Sequence, residues 1–146
     1  MKYWITTVAL ALVLSGCSQK AAFEELSDGS CSDEQAQLVQ GHISAQIDAI
    51  ANEEWESAYS FASPSFRSSV ELDQFVFIIG TQYGVLIENQ GYRFSECTIL
   101  NKQISQRVGV KGEGELTNLT YTLSVKESVL GVDSALVGET DTQLET

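Results

Sequence analysis

Apolar residues recur at spacings of three and four along Ala36, Val39, Ile43, Ile47 and Ile50. That spacing puts them on one face of a helix. Ser32-Asp33-Glu34-Gln35 matches a capping box just before it. Its acids suit the positive end of the helix. After Asn52, a second segment carries Trp55, Ala58, Tyr59, Phe61 and Ala62. Ser63-Pro64 then supplies a fresh N-cap with proline at the first helical position, predicting a short helix with Phe66 and Val70. From Leu72 to Tyr83 the chain is apolar almost all round, which predicts a deeply packed helix with Gly84 as its stop.

From Gln90 the period changes to two. Tyr92, Phe94, Ile99 and Leu100 mark one strand, and Ile104, Val108 and Val110 the next, with Asn101-Lys102 between them. Gly112-Glu113-Gly114 reads as a turn. Leu119, Tyr121, Leu123 and Val125 then face one way, and Asn118, Thr120, Thr122 and Ser124 the other. A last strand runs from about Gly131 to Val137. A sheet with one wet face needs a cover on the other, and the preceding helices supply it. The expected fold is α+β: N-terminal helices packed on a curved antiparallel sheet of about four strands. It forms a single domain over residues 31–138, followed by an acidic tail over 139–146.

The segment before the first helix reads as an address. Lys2 precedes an apolar stretch from Trp4 to Leu14, broken only by Thr6 and Thr7. A membrane span needs about 20 apolar residues, so this run suits a signal peptide over residues 1–16. Leu14-Ser15-Gly16-Cys17 resembles the bacterial lipobox. Small residues fit a narrow peptidase site, and the Cys17 thiol can take a diacylglycerol, with palmitate-type acyl chains holding the mature protein on a bilayer. The alternative is an ordinary signal peptide with an incidental cysteine. Residues 17–30 are polar except for Phe23 and Leu26 and suit a flexible tether. The lipobox reading implies an extracytoplasmic, lipid-anchored protein on the cell membrane or the outer membrane. In a Gram-negative envelope, Ser18 rather than Asp after the lipidated cysteine favours the outer membrane.

Export changes the meaning of the cysteines. With Cys17 assigned to lipid, Cys31 and Cys97 remain, and an exported pair is commonly a disulfide. It closes a loop of about 67 residues, worth about 4 kcal/mol in the chain-entropy model. The alternative is two buried thiols. Neither has a second metal ligand close in sequence, so no metal site is expected.

Eight bases against twenty acids give a net charge of −12 over 146 residues. That argues against nucleic acid, whose phosphates call for a basic face. It favours solubility and a cationic partner over an anionic substrate.

The run Ala58-Tyr59-Ser60-Phe61-Ala62-Ser63-Pro64, followed by Phe66-Arg67, Phe75, Tyr83 and Phe94, resembles a bacterial domain-of-unknown-function family. Its members share a helix ending in Ala-aromatic-Ser-Phe-Ala-(Ser/Ala)-Pro before a strand-rich half. The resemblance covers Glu34 to Val137. It implies a cone-shaped domain of the nuclear-transport-factor-2/cystatin-like kind, in which a curved sheet wraps a long helix. It assigns no catalytic residues. The family usually has a Trp before the last strand, where this chain has Leu130-Gly131-Val132.

Cone folds can hold a small apolar ligand, and some relatives use an interior Asp–His pair. His42 and Asp48 stand six residues apart on one helix, a rotation of about 600°, and face different sides. No nucleophile elbow, Walker or zinc-protease motif occurs. Glu53-Glu54-x-Glu56 lacks the ligand alternation and the Gly turn of a calcium loop and suits a solvated helix start. Tyr59, Phe61, Phe66 and Tyr83 are candidate pocket residues, with core packing as the alternative. Arg67 is expected to pair an acid or cap carbonyls. The expected function is a non-enzymatic binding or structural module that needs no cofactor. It would bind the bilayer through Cys17, and a protein or a small apolar ligand through its folded face. The alternative is a small enzyme or carrier for a hydrophobic molecule.

Overall fold

The computed structural model describes residues 21–138. The expected signal peptide, the lipobox-like run with Cys17 and the expected acidic tail lie outside the described residues. The long helix α1 spans Asp33–Ala51. Ser32 caps it: its Oγ accepts from Gln35 N at 3.1 Å, and Gln35 Oε1 accepts from Ser32 N at 2.9 Å. Val39, Ile43, Ile47 and Ile50 are buried along one stripe. Helices α2 (Trp55–Ser60), α3 (Pro64–Ser69), α4 (Leu72–Gln82) and α5 (Gly84–Ile87) follow.

The sheet is antiparallel and has five strands in sequence order: β1 (Gly29–Ser30), β2 (Tyr92–Leu100), β3 (Gln103–Lys111), β4 (Leu116–Lys126) and β5 (Val129–Val137). Its inner face buries Ile104, Val108, Val110, Leu119, Tyr121 and Leu123 beneath the helices. A disulfide joins Cys31 to Cys97, 66 positions apart in sequence, with Cα atoms 5.5 Å apart.

Three expectations need correcting. The sheet has a fifth strand, the two-residue β1, paired to β2 through Gly29↔Ile99 and Ser30↔Thr98. It forms because residues 21–30, expected to belong to a flexible tether, pack on the domain. Phe23 is buried, Gln35 Nε2 donates to Ala22 O at 2.9 Å, and Asn101 N donates to Asp28 Oδ1 at 2.8 Å. Second, α4 is not deeply packed. Only Phe75 and Ile79 are buried, and Phe77 is 70% exposed. The helix packs on α2 and α5 and leaves its far side uncovered. Third, Gly84 does not end the helical region but opens α5, the break falling at Tyr83.

Candidate functional site

The Ala58–Pro64 run is a junction between layers. Ala62 forms a parallel bridge with Val132 on the outer edge of β5. Ser63 N donates to Val132 O at 2.9 Å, and Val132 N donates to Phe61 O at 3.0 Å. Ser63 is buried and caps α3 through Phe66 N at 3.1 Å. This approach needs Gly131: a Cβ there would stand 2.5 Å from Ser63 Cα. Glycine at the start of the last strand therefore lets the motif dock.

Beside this junction lies a cavity of about 170 Å³ between α1, α4 and the β4–β5 pair. Ile50, Phe75, Ile79, Leu86 and Val132 supply apolar wall. Leu136, 64% exposed, marks where the cavity reaches the surface. Of the four aromatic candidates, the structure brings Phe66 and Tyr83 to this cavity. Phe66 stands edge-on to Phe75 at 6.2 Å. The Tyr83 hydroxyl donates to Ala135 O. Tyr59 and Phe61 are placed elsewhere. The Tyr59 ring tilts on Phe75 at 5.6 Å, and its hydroxyl donates to Val70 O at 2.6 Å, tying α2 to the end of α3. Phe61 meets the ring of His42 edge-on at 5.1 Å.

Two deeply enclosed polar residues of the cavity were not among the candidates from sequence reasoning. Gln46 is 3% exposed, and its Nε2 donates to Ala58 O at 3.1 Å. Its signal was a polar residue set between Ile43 and Ile50 in the apolar stripe. Tyr121 is 1% exposed and was read only as an inward strand residue. Burial, reinforced by the neighbouring phenols of Tyr83 and Tyr92, pushes its pKa well above the ordinary tyrosine value, so it stays a neutral hydroxyl.

His42 is half-buried, and its Nε2 donates to Phe61 O at 2.8 Å. Burial lowers its pKa, against the smaller opposing pull of that carbonyl. Asp48 instead accepts from the Tyr92 hydroxyl at 2.8 Å, which fastens α1 to β2 outside the cavity. Arg67 is exposed. Among the described residues the ion pair is Arg107–Glu96, at 3.8 Å on the surface. Glu53, Glu54 and Glu56 are exposed around the start of α2, and no cluster of potential metal ligands occurs among the described residues.

No curated protein and no solved structure matches this chain. A family model does match, over residues 32–141, from the capping serine of α1 to just beyond β5. It covers every element described above except β1, and so takes in both the Ala58–Pro64 junction and the cavity beside it. The chain therefore belongs to the family described as Domain of unknown function (DUF4864).

Proposed function

We propose that this protein is a lipid-anchored, extracytoplasmic binding module whose cavity takes a small, largely apolar ligand. The observation that carries the binding half is the cavity of about 170 Å³ with an apolar wall and an outlet at Leu136. An engineered apolar cavity of about 150 Å³ is enough to hold benzene. The polar groups of Gln46, Tyr83 and Tyr121 on its wall are neutral amide and hydroxyl groups, which suits retention of an uncharged ligand. In this reading the sheet and the long α1 form a cone, with the cavity at its side near the β5 edge. Asp48 and Tyr92 are within hydrogen-bond reach of each other but do not face the cavity. The reading is therefore of a binder rather than an enzyme.

The anchoring half is supported by Leu14-Ser15-Gly16-Cys17 at the end of the apolar stretch. The Cys31–Cys97 bridge fits an oxidising, extracytoplasmic compartment.

Toluene is a suitable probe for the cavity. Titrated into the isotope-labelled full chain carrying Cys17→Ser, it is expected to shift amide signals of α4 and β5 saturably. Ala135→Leu, which fills the wall, should abolish the response. Linear, unsaturating shifts spread over the surface would overturn the binding reading.

A further inference from the structure

The cavity wall is apolar except at a few points, and the most enclosed of these is Tyr121. Its ring sits on the inner face of β4, opposite Ala135 of β5, and the residue is 1% exposed. Among the described residues no hydrogen bond involves its hydroxyl. The fully enclosed side-chain atom without a partner is a different one, Gln106 Oε1. Tyr121 is among the residues that line the cavity, and its oxygen is not among the fully enclosed side-chain atoms without a partner. Its neighbour Tyr83 is already committed to Ala135 O, and the Gln46 amide nitrogen to Ala58 O. A buried hydroxyl left without a partner is destabilising. Something that enters the cavity can recover that cost.

We infer that Tyr121 is the polar anchor of the cavity, and that the ligand is an uncharged ring or short chain bearing one hydroxyl or carbonyl oxygen. This inference rests on the cavity being a binding site. The size limit follows from the volume, which admits a single six-membered ring with a small substituent. The charge limit follows from the wall. No lysine, arginine or histidine lines it, so a carboxylate would lose its hydration without gaining a cation. The one acid on the wall, Asp133, accepts from Ser124 Oγ at 3.1 Å. The number of oxygens follows from the hydroxyl count. Tyr121 offers one O–H donor and accepts in return, and apart from Gln46, Tyr83, Asp133 and Ser134 the rest of the wall is carbon. Gln46, whose amide oxygen is not engaged among the described residues, can accept from a ligand hydroxyl on the α1 side.

Three probes differing in one group separate the terms. Phenol, toluene and benzoate are titrated into the labelled full chain carrying Cys17→Ser, with and without Tyr121→Phe. Phenol should bind at least about fivefold tighter than toluene, and benzoate should give no saturable shift. Tyr121→Phe should bring phenol down to the level of toluene and change toluene by less than about twofold. A purely structural role for Tyr121 would instead weaken both probes together, and that result overturns the inference. So does equal binding of phenol and toluene to the unsubstituted tyrosine, which needs no variant and stands even if Tyr121→Phe fails to fold. In either case toluene binding preserves the cavity as a site. A failure of all three probes removes the cavity reading itself. An ordered water held by the Tyr121 hydroxyl that persists in the presence of saturating phenol would also overturn the anchor.

Discussion

Gly131 and Ser63 show how one missing methyl group shapes the site. The parallel bridge between Ala62 and Val132 brings Ser63 Cα to within 2.5 Å of where a Cβ of residue 131 would lie. The obstacle is backbone, which cannot rotate away. Gly131→Ala is therefore expected to cost about 1–3 kcal/mol, the range for overpacking a fitted interior. A lowered urea midpoint with an unchanged slope would record it, and an unchanged midpoint would contradict the close approach. His42 makes a second prediction at this scale. Burial holds its folded pKa below the ordinary 6.5. As pH falls below that value, the unfolded chain takes a proton that the folded chain resists. The stability contribution is whole above the unfolded pKa and is lost as pH drops through the window beneath it. Urea unfolding at about pH 7 and about pH 5 should show a larger loss for the natural chain than for His42→Gln, whose amide can still donate to the Phe61 carbonyl. Equal losses would place the pH sensitivity elsewhere.

Among the elements, the boundaries with local chemical signals were legible and those made by distant contacts were not. The Ser32 capping box and the Ser63-Pro64 start are written in adjacent residues, and both caps form. The inward set Leu119, Tyr121 and Leu123 follows from alternation alone and is buried as expected. The start of β5 at Val129 was missed by two residues. Its hairpin uses Glu127 and Ser128, both at positive φ, where glycine or asparagine is the usual signal. β1 could not be read because two residues carry no periodicity. It is held by the disulfide, by Phe23 and by the reach of Asp28 to the β2–β3 turn. The cavity was half legible. Aromatic Phe66 and Tyr83 pointed to it, but an apolar α4 concealed that Phe77 faces solvent, and Tyr121 looked like ordinary core. The disulfide carries the prediction at this scale. A Cys31→Ala, Cys97→Ala chain should lose about 2–4 kcal/mol. Hydrogen exchange should rise first in residues 21–30 and β2, the parts the bridge joins. Uniform acceleration across α1 and β4 would mean that the bridge supports the whole domain instead.

The whole molecule is strongly acidic, and the attachment proposed for it is N-terminal. A net charge of −12 gives an anionic bilayer no reason to hold the domain by electrostatics, so membrane attachment as proposed would rest on a covalent anchor. Acyl chains supply about 0.8 kcal/mol per buried methylene, and more than one chain is needed for stable anchoring. The fold also limits how far the domain can stand off. Phe23 is buried, only six positions after Cys17. Six residues span at most about 20 Å when extended. Lipidation at Cys17 would therefore keep the β1 side of the domain close to the headgroups. Cys17→Ala should leave the chain unprocessed or move it from the detergent phase to the aqueous phase in a cloud-point partition. The Cys31–Cys97 bridge and the thermal midpoint should not change if membrane attachment is the whole role of Cys17. Retention of the variant in the detergent phase after cleavage of the leader would refute the lipid anchor. The domain would then reach its membrane, if it has one, through its protein surface, and the exposed Phe77, Leu136 and Val137 would be the first residues to substitute.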